Sequence, residues 1–220
     1  QLKDEANAWF VGEPFKVFYD YKKEGIWQLG EEAAAAANGQ EPGDIKVQDV
    51  DGNGVITTDD RIIYSQRPDV TFGFNNTFNY KGFDLSVFLY ARLGQWIAYD
   101  YNTTYRINAL ENGGNVDYWT PENPTNAFPC PNKSKSYTQV TYYSTLKYED
   151  GSFFKIRDIT LGYTFKPELL KHLNLSKLRV YATAKNFFTF SKIDNYDPEQ
   201  GGSISFPMTK QLVFGLNVEF

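Results

Sequence analysis

The chain has 220 residues, a formal net charge of −5, one cysteine and one histidine. Its basic residues are scattered, which argues against a nucleic-acid partner, and the single Cys and His exclude internal disulfides and leave a zinc cluster or a histidine-dependent triad improbable. Aromatic residues make up 17% of the chain, yet no apolar run approaches the roughly 20 residues of a membrane helix, so any membrane crossing here must use strands.

The start, Gln1-Leu2-Lys3-Asp4-Glu5, shows neither a leader nor a lipobox, and reads as a mature protein or as a piece of a longer one. The five alanines Ala33 to Ala37 are far too few to cross a membrane; residues 1–70 are expected to form an external loop region with a short helix. Within it, Asp49 to Asp60 fits a twelve-position calcium loop: oxygen donors fall at positions one, three and five (Asp49, Asp51, Asn53), Gly54 takes the sharp turn, the Val55 carbonyl serves position seven, Thr57 sits at nine and Asp60 at twelve. Asp60 replaces the usual Glu and reaches less far, which favours a tighter site or weaker binding. Ile56 is the apolar anchor of such a loop. The flanks, 45–47 and 61–64, read as extended, so this is an EF-hand-like loop outside an EF-hand pair. A structural Ca²⁺ is expected, with an unmetallated turn as the alternative; no nearby base supports a catalytic metal.

From residue 71 the pattern changes to strict alternation. In 71–80, Phe72, Phe74, Phe78 and Tyr80 alternate with Thr71, Gly73, Asn75, Thr77 and Asn79, a period that fits a strand and not a helix. Lys81-Gly82 makes a two-residue hairpin turn into 83–94, where Phe83, Leu85, Val87 and Leu89 form the apolar side. The period returns in 155–166, 177–190 and 209–220. Each run is about ten residues, the length of a tilted membrane strand and longer than the five or six usual in soluble sheets.

The links between these runs alternate: two residues, then the long segment 95–152, then a short one with a helical Pro-Glu-Leu-Leu-Lys-His turn, then the long 191–208. Short turns on one side and long loops on the other are the habit of outer-membrane barrels. The expected fold is therefore all-β, a transmembrane antiparallel β-barrel to which 71–220 contributes about five strands. Five strands cannot close, and open edges in hydrocarbon are costly, so the chain is expected to be the C-terminal part of a longer polypeptide. Phe220 at the end of the last strand resembles the assembly signal read by the barrel-assembly machinery.

Other residues carry weaker expectations. Tyr80 and Phe83 at one rim, and Trp96, Tyr99 and Tyr101 at the other, are placed as interfacial belts. Trp9, Trp27, Trp96 and Trp119 are candidates for stacking on sugar rings, for packing against a partner, or for loop cores. Asp84, Arg92, Asp158, Arg179 and Lys185 on the polar side are expected to hydrogen-bond a plug or interior water. Cys130 in Pro-Cys-Pro and His172 read as loop and turn residues. Catalytic residues are not expected.

Three stretches, in order, resemble SusC/RagA-type TonB-dependent outer-membrane transporters of Bacteroidetes. They are Tyr21 to Gln28 with Gly30 to Ala33 and Pro42 to Lys46; Asp49 to Arg61 running into Pro68 to Asn76 and Tyr80 to Leu85; and Tyr148 to Tyr163 followed by Leu178 to Tyr181 and Asn186 to Phe188. The likeness covers nearly the whole chain, and the order and spacing of the stretches carry it. It implies a plugged barrel of about 22 strands, a SusD-like surface lipoprotein partner, and import of oligosaccharides or peptides driven through TonB, whose contact region would precede Gln1. Asp197-Pro198-Glu199 resembles a recurrent turn of that family, with no chemistry assigned. A siderophore or cobalamin receptor, a surface enzyme barrel needing residues upstream, and a soluble calcium-binding, carbohydrate-binding β-sandwich are the alternatives.

Overall fold

The computed structural model describes residues 3–15, 17–108 and 113–220, apart from the side chain of Tyr137; Gln1 and Leu2, where the leader was sought, lie outside them. In chain order the elements are β1 (Lys3–Asp4), β2 (Trp9–Phe10), β3 (Val17–Tyr21), β4 (Lys23–Ile26), α1 (Glu32–Ala37), β5 (Ile45–Val47), β6 (Arg61–Ser65), β7 (Val70–Tyr80), β8 (Phe83–Leu93), β9 (Trp96–Ala98), β10 (Tyr148–Asp150), β11 (Phe153–Thr164), α2 (Pro167–Leu170), β12 (Lys177–Ser191) and β13 (Gln211–Glu219). Among the described residues no helix is long and apolar enough to cross a membrane.

The chain divides into two compact units, one of residues 1–67, 96–150 and 201–204, the other of 68–95, 151–200 and 205–220. The first unit thus takes in most of the long segment 95–152 as well as the N-terminal region. Its strands form small antiparallel pairs, β3 with β6, β4 with β5 and β9 with β10. Its core gathers residues far apart in sequence: Ile26, Ile45 and Val47 pack with Tyr105, Ile107, Trp119, Val140 and Leu146. Burying each such side chain contributes about 1.5–3 kcal/mol, which is what holds so irregular a segment together.

The second unit is one antiparallel sheet in the order β13-β12-β11-β8-β7. Lys81 and Gly82 both take positive φ, 48° and 88°, as a type I′ turn requires, and bring Tyr80 opposite Phe83. The segment after β11 turns through α2, begun by Pro167 at its first position, where the missing N–H costs nothing. Both short links lie at one end of the sheet. β7 starts, β8 ends, β11 starts and β12 ends at the other, so every long connection leaves from that second end.

Candidate functional site

Register sorts the sheet's side chains into two faces. One row runs Phe78, Leu85, Leu161, Ala182, Phe214 across all five strands. At both edges and in the middle the row stays in contact with solvent, Phe78 at 61%, Leu161 at 51% and Phe214 at 77% exposure. Those residues do not enter any core, which is the opposite of a β-sandwich, where such a face would be covered.

The opposite face is polar and cross-braced. The row beside the first runs Thr77, Ser86, Thr160, Thr183, with the Thr160 and Thr183 hydroxyls 2.8 Å apart. Next comes Asn79, Asp84, Gly162, Tyr181, Gly215, and its glycines make room for their neighbours. A Cβ on Gly162 would stand within 2.6 Å of the Asp84 carboxylate and the Arg179 guanidinium; without one, Arg179 reaches across β11 and donates from Nε to Asp84 Oδ1 at 2.8 Å. Likewise the Tyr181 ring lies over Gly215. Lys185 stands 3.8 Å from Asp158, and Arg92 Nε donates to the Tyr90 hydroxyl. These polar-side residues pair with one another within the wall.

Where the long connections leave, the polar face carries a buried ion cluster. Lys155 on β11 has no exposed surface. Its ammonium donates to Asp197 Oδ2 at 2.7 Å and to Glu199 Oε2 at 2.8 Å, while Arg157 Nη1 lies 3.1 Å from the other Glu199 oxygen. The Thr189 hydroxyl donates to Asp197, and Asp197 Oδ1 accepts the Glu199 N–H. A buried cation is tolerated only when paired and hydrogen-bonded, and here two acids supply both. The Asp-Pro-Glu turn to which sequence assigned no chemistry thus fastens the last long connection to the polar face. Its partner lies 42 residues away in sequence, and no local pattern joins the two.

In the first unit, the acidic loop folds around its own carboxylates. Asp49 Oδ1 and Oδ2 accept the N–H groups of Gly52 and Gly54, Asp51 accepts that of Asn53, and the Asn53 amide oxygen accepts that of Val55. Asp60, with no exposed surface, accepts Val50 N–H at 2.8 Å and Thr57 N–H at 2.7 Å. These backbone bonds, the Thr57 one first, hold its carboxyl below the ordinary range despite burial. Carboxylate oxygens of Asp49, Asp51 and Asp60 all lie within 4.8 Å of one another. Three converging carboxylates, one wholly buried, fit a hard oxygen-seeking divalent ion. The Thr57 hydroxyl is engaged locally, accepting Asp59 N–H and donating to Asp60. Ile56 packs against the unit's core, and the flanks are β5 and β6.

The tryptophans separate by burial. Trp27 and Trp119 are core residues at 6% and 4% exposure, their indole N–H groups donating to Gln40 and Gln28, so neither is free to stack on a ligand. Trp96 meets Tyr64 edge-on, and Trp9 is half exposed beside Phe15. Tyr99 is buried and stacks on Tyr101 within the first unit, while Tyr80 and Phe83 are exposed at the turn end of the sheet. Phe220 follows β13 and is 94% exposed.

An open antiparallel sheet, apolar outside and cross-braced by polar pairs on the other side, has the build of a β-barrel wall. No protein-family model matches the chain. TonB-dependent receptor P3 of Formosa agariphila is 31% identical over the whole chain, which spans 23% of that receptor. TonB-dependent receptor SusC of Bacteroides thetaiotaomicron is 31% identical over 78% of the chain and 17% of its own length. Among solved structures, the RagAB peptide transporter superposes with a TM-score of 0.69 over 96% of this chain and 24% of that one, at 24% identity. The RagAB peptide importer in its open-open state gives 0.64 over 96% of this chain and 23% of that one, at 26% identity. The chain belongs to the SusC/RagA-type TonB-dependent receptors, a family of outer-membrane β-barrel proteins, and spans about a quarter of the length of the relatives it matches.

Proposed function

We propose that this chain supplies wall strands and external loops to a receptor that imports oligosaccharides or peptides across the bacterial outer membrane. The observation that carries the reading is the pair of faces on the sheet, exposed Phe78, Leu161 and Phe214 on one side and the Asp84–Arg179 and Lys155–Asp197 pairs on the other. The apolar face meets lipid and the polar face encloses the interior. TonB supplies energy through a region outside this chain, a SusD-like surface lipoprotein caps the entrance, and Phe220 serves the barrel-assembly machinery. Asp49, Asp51, Asn53, Thr57 and Asp60 side chains with the Val55 carbonyl hold a Ca²⁺ that staples the first unit and takes no part in transport chemistry.

Uptake by cells carrying or lacking the full-length receptor tests this reading, with labelled oligosaccharides, peptides and a ferric siderophore offered in turn. Receptor-dependent, TonB-dependent entry of a glycan or peptide is expected; entry of the siderophore alone would overturn the substrate class. For the ion, Ca²⁺ at a hundred times its dissociation constant is expected to stabilise the first unit by about 2.7 kcal/mol. Calorimetry showing no Ca²⁺ uptake would remove that part of the proposal.

A further inference from the structure

β12 outruns its partner. Its pairing with β13 ends at Lys185 opposite Gln211, while on its other side it stays paired with β11 as far as Ser191 opposite Phe153. The parting falls at an irregularity, where the register shifts between Ile156 and Asp158 and Asn186 takes a left-handed φ of 58°. Bulges of this kind bend their strand and terminate pairing. On the returning chain Pro207 has no N–H to offer a ladder, and Asn186 Nδ2 closes the fork below by donating to the Thr209 carbonyl.

Between the splayed chains lies a cleft of about 810 Å³, with Phe187, Thr189 and Phe190 on one wall and Met208 and Lys210 on the other. Tyr196 and Asp197 line it too, and the Lys155 ammonium fixes that part of the wall through Asp197. Strands point their N–H and C=O groups to both sides. On the side away from β11, no described residue hydrogen-bonds the backbone of Phe187, Phe188, Thr189 or Phe190. A strand residue fills about 160 Å³ by its rise, strand spacing and sheet thickness, so the cleft has room for about five. The edge of β12 beyond its last pair with β13, Asn186 to Ser191, is of comparable length.

We infer that this cleft captures an extended peptide of about five residues by strand addition to the free edge of β12, with Lys155 as the residue that positions the outer wall. Main-chain donors and acceptors at strand spacing recognise another main chain. The mixed lining of aromatic, hydroxyl, amide and charged groups of both signs demands little of the guest's side chains. The inference rests on the import reading, in which the guest is cargo.

The test uses the full-length receptor in detergent and, as probe, fluorescein-labelled Val-Thr-Val-Thr-Val. The comparisons are the same peptide N-methylated at alternate residues, maltopentaose as competitor, and the receptor variant Met208→Trp, which fills the cleft from the wall facing β12. Saturable binding is expected, weakened at least tenfold by N-methylation and by Met208→Trp. Equal affinity for the methylated peptide, displacement by maltopentaose at matched concentration, or unchanged binding to a folded Met208→Trp receptor would each overturn it. The native receptor alone decides through the methylated peptide if that variant does not fold. Lys155→Met is expected to weaken the probe at least fivefold, whereas Lys210→Gln leaves it within twofold, because capture runs through the main chain. Binding without cellular uptake sinks the import reading and spares the cleft; uptake indifferent to Met208→Trp does the reverse.

Discussion

The two units bury their apolar residues by opposite rules. In the first, Ile45 and Ile26 are sealed from solvent while Val55 and Phe15 are left out, as in any water-surrounded fold. In the sheet, apolar side chains of one whole face stay exposed, Phe214, Leu216 and Phe78 among them, and the sealed residues include a lysine, Lys155, beside Phe153. One chain can follow both rules because each segment's periodicity answers to its own solvent: period two with an apolar outer face for the sheet, and long-range clustering for the connections.

The comparison is broken most forcefully at Lys155. Lys155→Met leaves Asp197 and Glu199 beside an apolar chain with no ammonium between them, and is expected to cost about 3–5 kcal/mol. Hydrogen exchange should show loss of protection around 192–200 with the first unit unchanged; retained protection would mean the cluster is not what fastens that segment. Next in size is a charge on the outer face. Leu216→Lys is expected to destabilise the refolded receptor by about 2–4 kcal/mol if the site lies near the bilayer midplane, while Asn217→Lys, one residue on and facing the other way, is tolerated. Equal effects in a lipid-refolding titration would contradict the assigned faces.

Gly162→Ala should cost about 1–3 kcal/mol, since its methyl must displace Arg179 or Asp84; Gly52→Ala, with nothing near its Cβ but a positive φ, tests backbone strain alone. The smallest effect is on Lys23 of the first unit, whose ammonium donates to the Asn126 carbonyl. Burial lowers its pKa, with Glu149 opposing. A lysine depressed in the fold binds protons less tightly than in the unfolded chain, so it adds stability as pH rises from its folded value toward the ordinary value near 10.5. Lys23→Met should flatten that alkaline rise in a melting series; an unchanged slope would assign the rise elsewhere.

The contrast also explains what could be read from sequence. Alternation of Phe72, Phe74 and Phe78 with Thr and Asn, and Lys-Gly at a two-residue turn, are local patterns, and local geometry obeys them. The acidic loop is local too, and Asp49, Asp51 and Asp60 do converge. What sequence missed is long-range. Trp27 and Trp119 do take the loop-core role that was one of those the sequence offered, but their partners Gln40 and Gln28 are placed by the fold. Lys155 looked like one polar residue in a polar-faced strand, and only the returning chain gives it Asp197 and Glu199. The divergence of β12 from β13 begins at Asn186, whose left-handed φ is not announced by its neighbours.

The central claim, that the sheet's apolar face meets lipid and its polar face an enclosed interior, is tested most directly by quenching. A fluorophore is placed at single cysteines along β13 of the full-length receptor, with Cys130→Ser, and the protein is reconstituted in vesicles of brominated lipid. Labels at 212, 214 and 216 are expected to be strongly quenched, and labels at 211, 215 and 217 only weakly, in strict alternation. Uniform quenching along the strand, or none at 214, would contradict the account.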